Sequence, residues 1–430
     1  MKSMTFFEHE KKPPEEENNL VRFLENFPEN EFWRFFIERK RYDIRSDLYY
    51  EIYSVLSGDS FEEAEKIDLI DIEEMFNKKN ITIGYLHDHA VKTVDSNLLE
   101  VLSLLAPKDN LNEKLTDMFN KHQAWMAFEI GEPGYLEHNT KGLQSILLSI
   151  VNNDDFNVEF IKNLHKTCTL GVKNMLQQVP GEFRSKEISW GMTSQTDSLA
   201  GLIETIDYLK SVEKQFGSSH VNIVLKKEKS KIITYCDKDT HGLANSLWGK
   251  VKKDNDINYV CDEGNIDPKE FLEKICAIHI DELKEQLKSA TTKEEKLTAI
   301  FTYLKHDVLH HPFKDGTGRT YSMLLSQYLL LRENLLPIII DDSNVIPGYS
   351  VKELVAEYIR GEKEMEEILK NHAHVSSPRF AIPNIYTHTL LEQITDTDKK
   401  TFNTSLEIYK EAKNSCLAKL VEEKASPKIS

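Results

Sequence analysis

The amino-acid sequence predicts a mainly α-helical protein with one small β element. Most of the chain spaces its apolar side chains three and four residues apart, as in "NEFWRFFIERKRYDIRSDLYYEIYSVL", which is the period of an amphipathic helix. The stretch from about residue 219 differs, because "SHVNIVLKKEKSKIITYC" is typical of two strands joined by a Lys-rich turn. The segment "YSMLLSQYLLLREN" is apolar nearly all round, which predicts a buried central helix.

These patterns divide the chain into four parts. Residues 1–19 contain two prolines, three consecutive glutamates and few large apolar groups, which predicts disorder. We expect residues 20–153 to form a helical N-terminal domain. Residues 154–372 are expected to form a catalytic domain, with an insertion at 205–268 that carries the β-hairpin. Residues 373–430 are expected to form a helical extension and a charged tail.

The elements of the catalytic part follow in order. Residues 154–179 have the pattern of one helix, which stops near Pro180. The sequence "GEFRSKEISWGMTS" then predicts a turn and a short extended piece, and residues 250–267 have the composition of a loop. Helical spacing returns at Pro268 and continues in "KEEKLTAIFTYLKHDVL" and "SVKELVAEYIRGEKEMEEILKNH".

Composition excludes some classes of function. The formal net charge of −17 argues against a general nucleic-acid or anionic-membrane binder, because both need a basic face. The five cysteines are odd in number and form no CxxC pair, which favours a reducing compartment without structural zinc. The polar start predicts no secretory signal peptide, and the longest apolar run is interrupted by charges, so we expect no membrane span.

The sequence "HPFKDGTGR" combines groups that suit chemistry on a phosphate. It is expected to lead into a helix N-terminus, where unpaired N–H groups favour an anion. Gly316 and Gly318 let the backbone approach that anion, and Arg319 adds a charged fork for its oxygens. Asp315 is a hard oxygen ligand for magnesium, and His311 can act as a general base. Together these residues predict transfer of a phosphorus group to a hydroxyl.

This stretch resembles the Fic motif, His-Pro-Phe-x-Asp/Glu-Gly-Asn-Gly-Arg-x-x-Arg. Eight of the first nine positions agree, counting the free one. "PGEFRSKEISWG" is similar to the Pro-Gly-x-x-Arg and short strand of the same family, in which the strand is a flap that holds the target peptide by strand addition. The resemblance covers about residues 155–372 outside the insertion. On this mapping the flap consists of Glu187, Ile188, Ser189 and Trp190.

The resemblance implies transfer of AMP from ATP to a Ser, Thr or Tyr hydroxyl of a target protein, with magnesium as cofactor. It also implies a Fic-type helical core with a short β flap. Carried over by position, His311 would be the base, Asp315 the magnesium ligand and Arg319 a phosphate contact. The nucleotide would lie against Lys314, Gly316, Thr317, Gly318 and Arg319. Such enzymes are frequent among bacterial effectors, which predicts a bacterial cytoplasmic location or secretion into the cytosol of a host cell.

Two positions depart from the family pattern. Thr317 replaces the Asn that helps to hold the α-phosphate, and Ser322 replaces the second Arg, which grips the terminal phosphate. Loss of such a charge-assisted contact costs about 1.5–3 kcal/mol of binding. Three alternatives therefore stay open: another donor such as UTP or CDP-choline, removal of such a group, or a catalytically inactive module that binds a partner.

Two neighbouring patterns allow other interpretations. His306-Asp307-x-x-His310 has the spacing of the zinc-protease pattern His-Glu-x-x-His, but Asp is too short for the usual base. We expect His306 on the helix surface or beside the site, and no role of its own for His310. Arg184 is expected either on the surface after an ordinary turn or in a salt bridge at the base of the flap.

Overall fold

The computed structural model describes most of the expected catalytic part of the chain and several segments outside it. The residues that it describes are 18–36, 129, 132–175, 179–191, 196–218, 220–225, 231–233, 239–254, 257–261, 266–340, 344–371 and 396–425. Most of the expected N-terminal domain therefore lies outside the described residues. The disorder predicted for residues 1–19 and the tail after residue 425 also fall almost entirely outside them.

The described chain is mainly helical, which confirms the predicted fold class. Its helices before the sheet region are α1 Asn19–Asn26, a 3-10 helix Glu29–Phe36, α2 Tyr135–Asn152 and α3 Val158–Thr169. The sheet region contains β1 Ile188–Gly191, α4 Leu199–Phe216, β2 Val221–Leu225, β3 Lys231–Ile233, α5 Thr240–Asp254 and β4 Ile257–Cys261. After it come α6 Pro268–Ser289, α7 Lys293–His310, a π-helix Gly318–Leu325, α8 Ser326–Arg332, α9 Val345–Gly348, α10 Val351–Asn371 and α11 Asp396–Ala425.

The helices around the loop begin at good capping residues. Thr292 and Glu295 form a reciprocal capping box at the start of α7, so both side chains satisfy backbone N–H groups there. Asp267 caps α6, whose first residue is Pro268, and Asn157 caps α3. Helix α7 ends where His311 adopts a left-handed conformation, with a φ of 44°. The sequence thus fixes both ends of the helix that carries the loop.

The π-helix and α8 form one buried rod at the centre of the helical core, as their all-round apolar pattern predicted. Leu324, Leu325 and Leu330 are each 0% exposed. Helices α2, α3 and α7 pack around this rod. The closest approach is at Gly142 of α2, where an added Cβ would lie 2.5 Å from the Leu324 side chain. The loop that precedes the rod is therefore anchored to the best-packed part of the molecule.

The four strands form one antiparallel sheet in the order β1-β4-β2-β3. The predicted hairpin is present, since Ile223 pairs with Ile233 across β2 and β3. Strand β4 lies between β1 and β2, with Trp190 opposite Tyr259. As a result, β1 is an edge strand of the sheet. Apolar side chains of α4, α5 and the sheet share a second hydrophobic core.

Two sequence expectations differ from the structure. Residues 250–267 were expected to form a loop, but they contain the end of α5 and the whole of β4. Buried Tyr259 and Cys261 alternate with half-buried neighbours, and this short period-2 signal lies between charged stretches. Helix α3 ends at Thr169 rather than near Pro180, because Gly171 turns the chain with a φ of 100°. Among the described residues, no helix is long and apolar enough to cross a bilayer.

Candidate active site

The loop from His311 to Thr317 connects α7 to the central π-helix. Its anchor is Phe313, which is 0% exposed and stacks on the ring of His165, with the ring centroids 3.7 Å apart. Gly316 turns the chain with a φ of 75°, and an added Cβ there would lie 2.8 Å from the Thr169 side chain. Glycine is therefore required at this turn.

The ring of His311 has a defined tautomer. Its Nδ1 lies 2.7 Å from the carbonyl oxygen of Phe313, which can only accept a hydrogen bond. Nδ1 therefore carries the proton, and the lone pair is on Nε2. The hydroxyl of Thr317 lies 3.3 Å from the same Nδ1 and donates to the same carbonyl at 3.0 Å. The loop thus orients His311 with Nε2 as the atom that can take a proton.

The pKa of His311 favours the same role. Burial lowers its pKa from 6.5 to about 4, and the positive charge of Arg184 acts in the same direction. The hydrogen bond to Phe313 opposes this shift without cancelling it. At neutral pH the ring is therefore uncharged and able to accept a proton.

Arg184 holds the backbone of the loop. Its Nε donates to the carbonyl of His311 at 2.8 Å, and its Nη2 donates to the carbonyl of His310 at 3.1 Å. Its backbone N–H donates to the carbonyl of Pro312 at 2.9 Å. The side chain is only 3% exposed, so Arg184 is not a surface residue. Its hydrogen bonds to the loop carbonyls mean that it does more than form an ion pair at the base of the flap. Arg184 connects the segment before the flap to the catalytic loop.

His165 holds the loop from the other side. Its Nδ1 accepts the N–H of Gly181 at 2.9 Å, so its Nε2 carries the proton and donates to the carbonyl of Asp315 at 3.0 Å. Burial lowers the pKa of His165 to about 4, which keeps it neutral. The sequence signal for this residue was its place on the buried face of α3, beside Ile161 and Cys168.

The open face of the loop carries the predicted anion and metal groups. Lys314, Asp315 and Gly318 are half-buried, whereas Gly316 and Thr317 are buried. The carboxylate of Asp315 accepts the N–H of Gly316 at 2.7 Å. Among the described residues beyond its own turn of helix, no atom lies within 4 Å of the position that a Cβ of Gly318 would take, so a ligand can approach the backbone there. Gly318 also begins the π-helix, whose first N–H groups suit a phosphate.

These residues fit one mode of magnesium binding. Among the described residues there is no group of three or more His, Cys, Asp or Glu side chains that could enclose a metal ion. Magnesium bound with nucleotides commonly uses only one or two carboxylates, together with water and the phosphates of the substrate. The half-buried carboxylate of Asp315 is suitable for that mode.

The structure places Arg319 differently from the expected phosphate contact. Its guanidinium forms an ion pair with Glu132, contacts the sulfur of Met175 at 3.6 Å and lies 5.0 Å from the ring centroid of Tyr135. The residue is 8% exposed. Sequence reasoning did not identify Glu132, because it precedes α2 and is almost 190 residues from Arg319 in the chain. Arg319 is close to the loop but is held on the side of α2.

The two departures from the motif are both buried. Thr317 is 2% exposed, and its hydroxyl bonds within the loop rather than towards the open face. Ser322 is also 2% exposed and lies inside the π-helix, where its carbonyl accepts from the Ser326 hydroxyl at 2.6 Å. Neither residue presents a charged group to a phosphate.

The predicted flap is the edge strand β1. Glu187 and Ser189 are exposed, whereas Ile188 and Trp190 are half-buried, which is the alternation of a strand with one covered face. The ring of Trp190 lies 5.0 Å from that of His311 and 5.4 Å from that of Tyr259. The expected flap strand is therefore beside His311. Trp190 lies beside His311, which shares the loop with Asp315 and Gly318, whereas Arg319 is paired with Glu132.

One comparison with known proteins adds to this geometry. The chain is 28% identical over 248 residues to the phosphocholine transferase AnkX of Legionella pneumophila. The alignment covers 55% of this chain and spans about a quarter of the relative's length, 26%. No family model matches the chain. The similarity to a transferase, together with the loop motif and the helical fold, supports a relation of this chain to the Fic family.

Proposed function

We propose that the protein is a Fic-type transferase that moves a phosphate-linked group from a nucleotide donor to a hydroxyl side chain of a target protein. The observation that carries this proposal is the orientation of His311, whose Nε2 is free while its Nδ1 is bonded to Phe313. The same loop offers the Asp315 carboxylate and the open backbone of Gly318. The proposed base His311, the proposed metal ligand Asp315 and the anion site at Gly318 thus lie on one short loop.

The reaction is a displacement at phosphorus. The oxygen of the target hydroxyl attacks the phosphorus of the transferred group, while Nε2 of His311 takes the hydroxyl proton. The bond between that phosphorus and the bridging oxygen of the donor breaks, and the part of the donor that is not transferred leaves with the bridging oxygen. With CDP-choline the leaving group is CMP; with ATP it is pyrophosphate. A magnesium ion held by Asp315 would neutralise charge on the donor phosphates.

The surrounding residues prepare this step. Arg184 and His165 hold the loop carbonyls, so the base cannot turn away from the open face. The N–H groups at the start of the π-helix stabilise negative charge on the phosphate. The uncharged state of His311 at neutral pH means that the base is ready before the substrate binds.

The target is proposed to bind at the free edge of β1. A peptide added there as a fifth strand would use backbone hydrogen bonds, and one of its side chains would lie beside Trp190 and His311. Strand addition orients a hydroxyl without requiring a particular target sequence. The bacterial cytoplasm or the cytosol of a host cell stays the predicted location.

Phosphocholine is the group we propose first. The relative that matches this chain is a phosphocholine transferase. In addition, the buried Ser322 leaves no second arginine at the motif to grip the terminal phosphate of ATP, and CDP-choline has no such phosphate. AMP is the second candidate, because the motif agrees with that of AMP-transferring enzymes at eight of its first nine positions.

Donor turnover separates these candidates. The protein is incubated with magnesium, a cell lysate and one of ATP, UTP or CDP-choline, and the released nucleotide is quantified by chromatography. The proposal predicts lysate-dependent release of CMP from CDP-choline, which Asp315→Asn slows by about 100-fold. Release of pyrophosphate from ATP alone would favour AMP transfer. If no donor turns over and none raises the melting temperature, the protein is a binding module rather than a transferase.

A further inference from the structure

A chain of buried polar side chains lies directly behind the catalytic loop. The carboxylate of Asp307 is 2.5 Å from Nδ1 of His279, and the hydroxyl of Tyr208 is 3.0 Å from Nε2 of the same ring. The Tyr208 hydroxyl is also 2.6 Å from Nε2 of His310. Their exposed fractions are 0% for Asp307, 1% for His310, 3% for His279 and 9% for Tyr208. The chain joins α4, α6 and α7.

The hydrogen bonds assign the protons. The Asp307 carboxylate accepts, so Nδ1 of His279 carries a proton. In the neutral form of that ring, Nε2 then accepts from the Tyr208 hydroxyl, whose oxygen in turn accepts from Nε2–H of His310. This leaves Nδ1 of His310 as a buried acceptor, and that atom has no hydrogen-bond partner within the described part of the chain. The opposite direction would bury an unpaired N–H at Nδ1, which is a rarer and more costly arrangement.

Residue His310 is consequently held in two ways. Tyr208 fixes its side chain, and Arg184 fixes its carbonyl. The next residue is His311, which has a φ of 44° that L-amino acids usually avoid. A small rotation at His310 would therefore move the base directly.

We propose that Tyr208 is a positioning residue for His311 and acts through His310, with Asp307 and His279 setting the direction of its hydroxyl. The inference rests on the proposed function only in the role that it gives to His311. Tyr208 belongs to α4, whose apolar side chains share a core with Leu309 and with Tyr259 of the sheet. The same residue therefore links the sheet that carries the flap to the helix that carries the loop.

This geometry also tests the two sequence expectations for His306 and His310. His306 is half-buried beside the site, and its ring stacks on that of Tyr208, with centroids 3.7 Å apart. His310 has a defined partner. A zinc site like that of the metalloproteases does not fit, because Nε2 of His310 is directed at the Tyr208 hydroxyl and the ring of His306 stacks on the same tyrosine. No three-ligand group occurs among the described residues either.

The variant Tyr208→Phe tests the inference, because it keeps the ring and its stacking on His306 and removes only the hydroxyl. The expected result is a fall in the kcat of transfer of about 10–100-fold with unchanged KM values, since a displaced base affects the chemical step. The matched control is Tyr358→Phe, which removes the buried hydroxyl of a tyrosine in α10 that donates to the carbonyl of Leu336. We expect the control to lower the melting temperature by a similar amount and to keep wild-type kcat.

Histidine NMR supplies a measurement that needs no activity. In ¹⁵N-histidine-labelled protein, with resonances assigned by single His→Gln variants, His311 should show a hydrogen-bonded Nδ1–H and His310 an Nε2–H. Tyr208→Phe should shift the His311 signals, and Tyr358→Phe should not. If the His311 signals stay unchanged in Tyr208→Phe, or kcat stays within about twofold, the inference is wrong. If His311 shifts as expected but the wild type transfers nothing, the proposed function fails and the positioning role stands.

Discussion

The first and second halves of the motif loop differ in what they offer to a substrate. His311 and Asp315 are half-buried on the open face, and Nε2 of His311 is not used by the hydrogen bond that orients its ring. Arg319 and Ser322 are buried, and Arg319 is paired with Glu132. The motif thus has a chemical half, which contains His311 and Asp315, and a packed half, which contains Thr317, Arg319 and Ser322. The comparison teaches that agreement with a motif does not place every residue of that motif at the reaction.

The packed half explains the departures from the family pattern. Thr317 bonds the carbonyl of Phe313, so the side chain contributes to the shape of the loop. Ser322 lies within a helix whose neighbouring residues are buried on all sides, where an arginine would need a buried partner. Recognition of the donor is therefore expected to depend on the first half of the loop and on Gly318.

Removing the base tests the chemical half and carries the largest expected effect. His311→Ala should lower the kcat of transfer by about 10²–10⁴-fold, because a positioned general base contributes that much. The measurement is initial-rate transfer to a modified protein, with the melting temperature as a control for folding. A residual rate within about tenfold of the wild type would mean that another residue is the base.

Changing the metal ligand should have the next largest effect. Asp315→Asn keeps the shape and the bond to the Gly316 N–H but removes the charge. We expect transfer to fall by about 100-fold and the magnesium concentration for half-maximal rate to rise, because the carboxylate is the hard ligand of the loop. Chelation of the wild type should abolish transfer, and added magnesium should restore it. Full activity after chelation would exclude this role.

The pH dependence tests the state of the base. A histidine with a pKa of 6.5 would be about 90% protonated at pH 5.5, whereas His311, with a pKa of about 4, stays neutral there. The kcat/KM for transfer is therefore expected to stay level from pH 7 to pH 5.5, instead of falling about tenfold. A decline centred near pH 6.5 would contradict the burial of the base.

The free energy of unfolding should depend on pH through the buried histidines of the site. His165 and His311 have a pKa of about 4 when folded and 6.5 when unfolded, so the unfolded chain binds more protons between those values. Their contribution to the free energy of unfolding is fully present above pH 6.5. It is lost as the pH falls towards 4, by up to roughly 3 kcal/mol for each group. Urea unfolding at pH 7 and pH 5 measures this loss. His165→Gln should reduce the difference between the two pH values.

The packed half is tested at Glu132. Glu132→Gln removes the negative partner of Arg319 and leaves the guanidinium free to move towards a donor phosphate. The expected effect is a three- to tenfold tighter Kd for the donor, about 1 kcal/mol, together with a lower melting temperature. Calorimetric titration gives the Kd. An unchanged Kd would show that Arg319 serves packing alone.

A substitution in the flap strand β1 should have the smallest effect on transfer among these variants. Trp190→Ala removes the ring beside His311 but keeps the backbone that pairs with β4. We expect the KM for the target protein to rise by about fivefold without a change in donor affinity, because strand addition relies on the backbone. An equal loss of donor affinity would place Trp190 in the donor site instead.

The sequence predicted what short-range patterns determine. Helical spacing identified the core helices, and fixed offsets within "HPFKDGTGR" predicted a base and a metal ligand, roles that stay predictions. The buried chain from Asp307 to Tyr208 could not be predicted, because it joins three helices whose packing is set by tertiary contacts. The pairing of Arg319 with Glu132 depends in the same way on the docking of α2. The sequence analysis missed strand β4 because five residues are too few to show a clear alternation of buried and exposed side chains.

The most direct test of the central claim is peptide mass spectrometry of a cell lysate treated with the protein, magnesium and CDP-choline. The wild type should add phosphocholine to a Ser, Thr or Tyr side chain of at least one lysate protein, and His311→Ala should add none. An AMP adduct formed only with ATP would keep the transferase and change its donor. Adducts of equal yield with wild type and His311→Ala would contradict the claim that this loop performs the reaction.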